Sequence, residues 1–226
     1  MSTRVFCVIP LLLLASNAVA HNVSDSNASY IQALDGIAIV PFIYLGAKHM
    51  VTGFDHLLFI LGVIFFLYRP RDVILYVTLF TVGHSLTLLT GVLWRIEVNE
   101  HLIDAIIGFS VVYKAFENMG GFQHLLRIEP DSRIAVLVFG LFHGFGLATK
   151  LQVLNLSDQG LLTNMLSFNL GVELGQLLVL GVFLLVLSRW RLRDNFNHHA
   201  FLTNSVLMTC GFIFMGIQLT AWSLES

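Results

Sequence analysis

The sequence predicts an all-α protein, a polytopic transmembrane helix bundle of about six spans after a cleaved signal peptide, and three observations carry that prediction. The 226 residues are 56% hydrophobic and 12% charged, with a mean hydropathy of +0.81, whereas a soluble domain carries about 25% charged residues. Apolar stretches of about twenty residues, the length that crosses a bilayer, recur from Leu34 onward and most of the charge falls between them. The first twenty residues have the order of a secretory signal. This composition argues against a water-soluble fold. The balance of 12 basic against 14 acidic residues offers no basic field for a nucleic-acid partner.

The signal peptide is read over residues 1–20: Arg4, an apolar run from Val5 to Leu14 that is too short to span, then Ala18-Val19-Ala20 before His21. Cleavage after Ala20 removes Cys7 and leaves Cys210 as the single cysteine of the mature chain. An intramolecular disulfide or a cysteine-based metal site is then ruled out. A short extracytoplasmic tail, residues 21–33, follows. With His21 as the new N-terminus, its amine and imidazole could chelate a metal.

The transmembrane domain occupies residues 34–226, with spans expected at Leu34 to Tyr68, Val73 to Leu93, His101 to Asn118, Ile134 to Ala148, Asn164 to Leu187 and Phe201 to Trp222. The first stretch is too long for one straight helix, and Pro41, Gly46 and Gly53 offer breaks. It reads either as an interfacial or re-entrant piece followed by a span, or as a single interrupted span. Basic residues accumulate on the cytoplasmic side. Seven of them (Arg69, Arg71, Arg127, Arg133, Arg189, Arg191, Arg193) follow odd-numbered spans, against two, Arg95 and Lys150, after even-numbered ones. Together with a secreted N-terminus, this predicts both termini outside. The pairs Gly83-His84 and His143-Gly144 hint at two related halves, which with three spans each would be inverted.

Ionisable groups at bilayer depth cost about 2.5 to 3.5 kcal/mol each on insertion scales, so each one present is a functional hypothesis. Span one carries Lys48, His49, Asp55 and His56. On a continuous helix His49 and His56 share a face but lie about 10 Å apart along the axis, too far for one ion held at about 2 Å by each ligand. A break at Gly53 would fold them together, with Asp55 as a ligand or as the group that fixes an imidazole tautomer. A buried Lys48–Asp55 ion pair is the plainer alternative.

Span two places His84 between Gly83 and the hydroxyls of Thr81, Ser85 and Thr87, as ligand or as a hydrogen-bonded packing residue. Span three holds Lys114 and Glu117 at i and i+3, a self-neutralising pair, and Asp104 near its outer end, where a funnel for a cation would sit. Span four surrounds His143 with Gly140, Gly144 and Gly146, which allow close helix approach. Span five repeats Asn169, Glu173 and Gln176 at i, i+4 and i+7, one helical face of oxygen-bearing side chains, and Glu173 is expected to face the bundle interior. Imidazole plus carboxylate without thiolate suits a divalent transition metal ion, with nickel, cobalt, zinc, iron and copper(II) all open on ligand type alone.

The ordered strings HMVTGFDHLLF, FTVGHSLTL, LFHGFGLA and LSFNLGVELGQ resemble the HupE/UreJ family, from Leu45 to the end of span five. That resemblance implies a nickel or cobalt permease of the bacterial inner membrane, associated with hydrogenase and urease systems. It implies His49, Gly53, Asp55 and His56, with His84, His143 and Glu173, as the metal-handling set; Asp104, Gly144, Asn169 and Gln176 are the supporting residues read from the spans themselves. Met50 stands where related permeases often have proline. The expected partners are the lipid bilayer and the metal ion, with a homo-oligomer left open. Two other readings use the same residues: an intramembrane metalloenzyme with Glu173 or Asp55 as general base, though HExxH is lacking, and a metal-binding membrane chaperone or sensor. No P-loop is present, so any coupling to ATP needs another subunit.

Overall fold

The computed structural model describes residues 36–152 and 159–225. The signal peptide, the tail with His21 and the start of span one lie outside the described residues. Every element within them is helical: α1 (Ile39–Thr52), α2 (Phe54–Ile64), α3 (Pro70–Leu93), α4 (Glu100–Asn118), a short π-helical turn (Phe122–Leu126), α5 (Ser132–Gln152), α6 (Leu161–Trp190) and α7 (Phe196–Glu225). Pro70 opens α3 at its first position, where a missing N–H costs nothing, and Asn99 caps α4 by accepting from the Leu102 amide at 2.9 Å.

Four helices, α3, α5, α6 and α7, are long and apolar enough to cross a membrane, and a fifth crossing arises if α1 and α2 count as one bent span. They run several residues past the apolar windows read from the sequence, because backbone hydrogen bonding carries a helix on into polar residues. The expected interruption of span one falls at Gly53, where the axis bends by 66°. The interrupted segment is tied to α6 at both ends. Near the start, the Ala38 amide donates to Asn164 Oδ1 at 2.8 Å and Asn164 Nδ2 donates to the Gly36 carbonyl at 2.9 Å; at the finish, Arg191 beyond α6 reaches the end of α2. The segment thus runs the length of α6.

The bundle is built from three helix pairs in which glycine lets backbones touch: α1 with α6, α3 with α5, and α4 with α7. Their register is two-fold. A Cβ on Gly46 of α1 would overlap the Phe168 carbonyl of α6, and one on Gly140 of α5 would overlap the Phe80 carbonyl of α3. In return, Gly171 closes on Ile43 while Gly83 closes on Leu137, and Gly108 and Gly211 of the third pair close on each other. The equivalence therefore joins Gly46-x-x-His49 to Gly140-x-x-His143 and Phe80-x-x-Gly83 to Phe168-x-x-Gly171. The two Gly–His dipeptides that suggested related halves are not themselves equivalent: His143 corresponds to His49, and His84 to Val172.

α4 carries Asp104, Lys114 and Glu117 and falls outside the four apolar helices. Its charges are compensated: Lys114 Nζ lies 2.5 Å from Glu117 Oε2, the expected self-neutralising pair, and Ser132 donates to Glu117 Oε1. Asp104 is buried and paired with Lys150 Nζ at 2.9 Å. It is not the open carboxylate that an ion-collecting funnel requires.

Candidate metal centre

The bend at Gly53 creates the site. The Gly53 amide still donates to the His49 carbonyl at 2.8 Å, but a ψ of 102° turns the following residues into a new helix. A Cβ at position 53 would lie 3.0 Å from both the His49 carbonyl oxygen and His56 Nδ1, and 3.2 Å from Asp55 Oδ1. Glycine is needed there for close approach, since its φ of −74° is open to any residue. The bend brings the His49 and His56 rings to 5.0 Å, centroid to centroid, where a straight helix would hold them two turns apart.

His56 is the hub. Its ring lies 5.8 Å from that of His84 on α3 and 5.1 Å from that of His143 on α5. One ligand nitrogen from each of His49, His56 and His84 lies within 4.8 Å of the others. A tetrahedral ion with bonds of about 2.1 Å holds its nitrogens about 3.4 Å apart, so small ring rotations close the set. His143 contributes differently: its Nδ1 lies 2.7 Å from the Phe139 carbonyl. A carbonyl only accepts, so Nδ1 donates, and in the neutral ring this leaves the Nε2 lone pair for an ion. Asp55 Oδ2 sits 3.2 Å from His56 Nδ1, placing the carboxylate beside the hub imidazole as an orienting partner. His56, His84 and His143 are fully buried, Asp55 is buried and His49 is half-buried.

Helix ends reinforce these side chains. The carbonyl end of α1 and the amide end of α2 both meet at Gly53, so the partial negative charge of α1 faces the histidines while the positive end of α2 stabilises Asp55 in its first turn. Phenylalanines enclose the cluster. Phe80 lies 5.0 Å from His143 and 6.1 Å from both His56 and His84, Phe59 lies 5.2 Å from His143, and Phe168 lies 6.1 Å from His49. Such a shell keeps water away and strengthens the electrostatics inside it.

Matching against protein-family models aligns residues 25–226 with the family described as HupE / UreJ protein. The chain belongs to the HupE/UreJ family. No curated protein and no solved structure matches it.

Within this HupE/UreJ protein the expected residues divide into two groups. His49, Gly53, Asp55, His56, His84 and His143 converge. Gly144 lies in the α3–α5 contact, where a Cβ would overlap the His84 carbonyl, so it sets the distance between those two histidine helices. Asn169 and Gln176 of α6 are buried; Gln176 Oε1 accepts from Thr81 Oγ1 at 2.7 Å, while neither amide atom of Asn169 has a hydrogen-bond partner among the described residues. Glu173 departs from expectation: it is exposed. It lies about 40° around the helix from Asn169, just outside the arc that Gly171, Val172, Gly175 and Gln176 bury, and next to exposed Leu174 and Leu177.

Two features of the site escaped the sequence reading. Most of the phenylalanine shell has a signal in the sequence, since Phe59 and Phe80 stand three and four residues from His56 and His84. Arg191 had none, because it counted only as one of three loop arginines. Desolvation lowers its pKa from the ordinary value, but a guanidinium stays protonated in any folded protein.

Proposed function

We propose that this HupE/UreJ protein is a permease for a divalent transition metal, nickel or cobalt, which takes the ion from the extracytoplasmic side and passes it inward. The observation that carries the reading is the buried convergence of His49, His56 and His84 at the interrupted span, with His143 and Asp55 beside them. Midway along a bundle, an interrupted helix with histidines at the break is how transporters present cation ligands without crossing lipid with open backbone. Ligating nitrogens bind only when deprotonated, so metal entry releases protons and couples the site to proton exchange. Asn169 and Gln176 add amide groups on α6, and Asp104 acts with Lys150 as a structural pair.

In this reading α4 is the remaining span. It is 19 residues long, about 28 Å, and runs antiparallel along α7: His101 Nδ1 lies 2.7 Å from Gln218 Oε1 at one end, and Asn118 Nδ2 donates to Asn204 Oδ1 at 2.9 Å at the other. Six spans and the arginine distribution then put both termini outside, after removal of residues 1–20.

Cells producing wild type are expected to accumulate nickel or cobalt above cells producing His56→Ala. Equal accumulation would sink the permease reading. The intramembrane metalloenzyme draws support from the count of three histidines, which is also that of a catalytic zinc site with an open position. A metal that co-purifies stoichiometrically and resists mild chelation would favour it; rapid exchange favours transport.

A further inference from the structure

We infer that Arg191 is the positioning residue of the metal centre, acting through α2 without touching the ion. The inference rests on the permease reading and adds to it a clamp at the far end of the interrupted span.

α2 has 11 residues, too few to be stable alone. Its carbonyl end is closed by a loose cap turn, the Phe65 amide donating to the Gly62 carbonyl at 3.4 Å and the Leu67 amide to the Ile64 carbonyl at 3.1 Å, and such an end needs further donors. Two side chains from other elements supply them, to these carbonyls and to those of Phe65 and Leu67 just beyond. Arg191 Nη2 donates to the Ile64 and Phe65 carbonyls, each at 2.6 Å, and Nη1 donates to the Leu67 carbonyl at 3.0 Å. Asn118 Nδ2 donates to the Gly62 carbonyl at 2.8 Å. The guanidinium carbon sits 4.5 Å from the centre of the Tyr68 ring, a cation–π contact that adds to its anchorage. The positive charge also complements the carbonyl end of the helix.

His56 lies eight residues before Ile64, about 12 Å along a rigid helix. What fixes the carbonyl end of α2 therefore fixes where Asp55 and His56 stand among the other histidines. The neighbouring Arg189, in the last turn of α6, and Arg193, just beyond Arg191, carry the same charge but are exposed. They provide the control: a purely topogenic arginine behaves as they do, and a clamp does not. Lysine cannot replace the fork, because one ammonium does not span three carbonyls in this arrangement.

The test compares Arg191→Gln, Arg191→Lys, Arg189→Gln, Arg193→Gln and His56→Ala in full-length protein. Nickel uptake is measured across concentration, and cobalt titration of purified protein is followed by its visible absorption bands. Arg191→Gln is expected to raise the half-saturating nickel concentration and weaken cobalt binding about tenfold or more, as loss of an orienting group does at metal sites, with an altered cobalt spectrum. Arg189→Gln and Arg193→Gln stay within about twofold of wild type, as expected of screened surface charges. If Arg191→Gln yields no folded protein, Arg191→Lys carries the test, with a smaller shift in the same direction. Wild-type uptake and spectrum in the folded Arg191 variants overturn the inference. If His56→Ala is also indistinguishable from wild type, the permease reading itself has failed; if only His56→Ala is defective, the clamp alone is wrong.

Discussion

The α1–α6 pair and the α5–α3 pair share one glycine register and differ in one break. Gly46 and Gly140 meet carbonyls at equivalent positions, and His49 and His143 each follow three residues later. Beyond that point the two regions part. α1 stops at Thr52 and restarts after Gly53 as a helix that carries Asp55 and His56, whereas α5 continues unbroken through Leu147, the equivalent position, to Gln152. The shared part is what packs. The unshared part supplies the hub histidine, its carboxylate partner and the free carbonyl end of α1, whose partial negative charge favours a cation. In this protein the scaffold is nearly symmetric, and the chemistry sits where the symmetry is broken.

The comparison can be broken most severely at the shared contacts. Leucine at Gly46, Gly140 or Gly171 would drive a side chain into a neighbouring backbone carbonyl, an overlap expected to destabilise by about 3 kcal/mol or more. The expected result is loss of monodisperse protein on size-exclusion chromatography, equally in both pairs. A tolerated leucine in one pair would show that the register is not shared.

Removing ligands separates the halves by function instead. His56→Ala is expected to weaken cobalt binding by about a hundredfold or more, beyond what loss of a group that only orients a ligand costs, with thermal stability retained. His143→Ala has the smaller effect of a fourth, outer ligand. Both can be read by titration of the purified proteins.

Equivalent positions 53 and 147 sharpen the contrast further. Gly53→Ala inserts a Cβ 3.0 Å from His56 Nδ1, and about tenfold weaker metal binding with little change in melting temperature is expected. Leu147→Ala empties a fully buried site and costs about 2 to 5 kcal/mol of stability, with binding retained in whatever protein folds. The smallest effect is expected at Glu173, where Glu173→Gln changes an exposed side chain and should leave nickel uptake within about twofold of wild type. A large loss there would return the carboxylate to the site that the sequence assigned it.

How much of this was legible in the sequence depended on whether the information was local. The helical segments, the histidines and an interruption of span one follow from runs of apolar residues, from ionisable groups within them and from Pro41, Gly46 and Gly53 as candidate breaks, all read along one chain; the choice of Gly53 comes from the packing, which uses Gly46 as a contact with α6 instead. The exposure of Glu173 is not legible because i, i+4, i+7 spacing spreads over about 60° of a helix, and the boundary of the buried arc is set by which helix packs alongside. Asp104 looked like an open carboxylate because Lys150 is 46 residues away in sequence. Arg191 and its three carbonyl acceptors are joined only in three dimensions, so no spacing rule could reveal them.

The most direct test of the central claim is anomalous X-ray diffraction from crystals of the full-length protein soaked in nickel or cobalt. One strong peak is predicted at the break, about 2.1 Å from ring nitrogens of His49, His56 and His84. A metal bound instead at Glu173 or at the Asp104–Lys150 pair, with no peak among the histidines, would contradict the account.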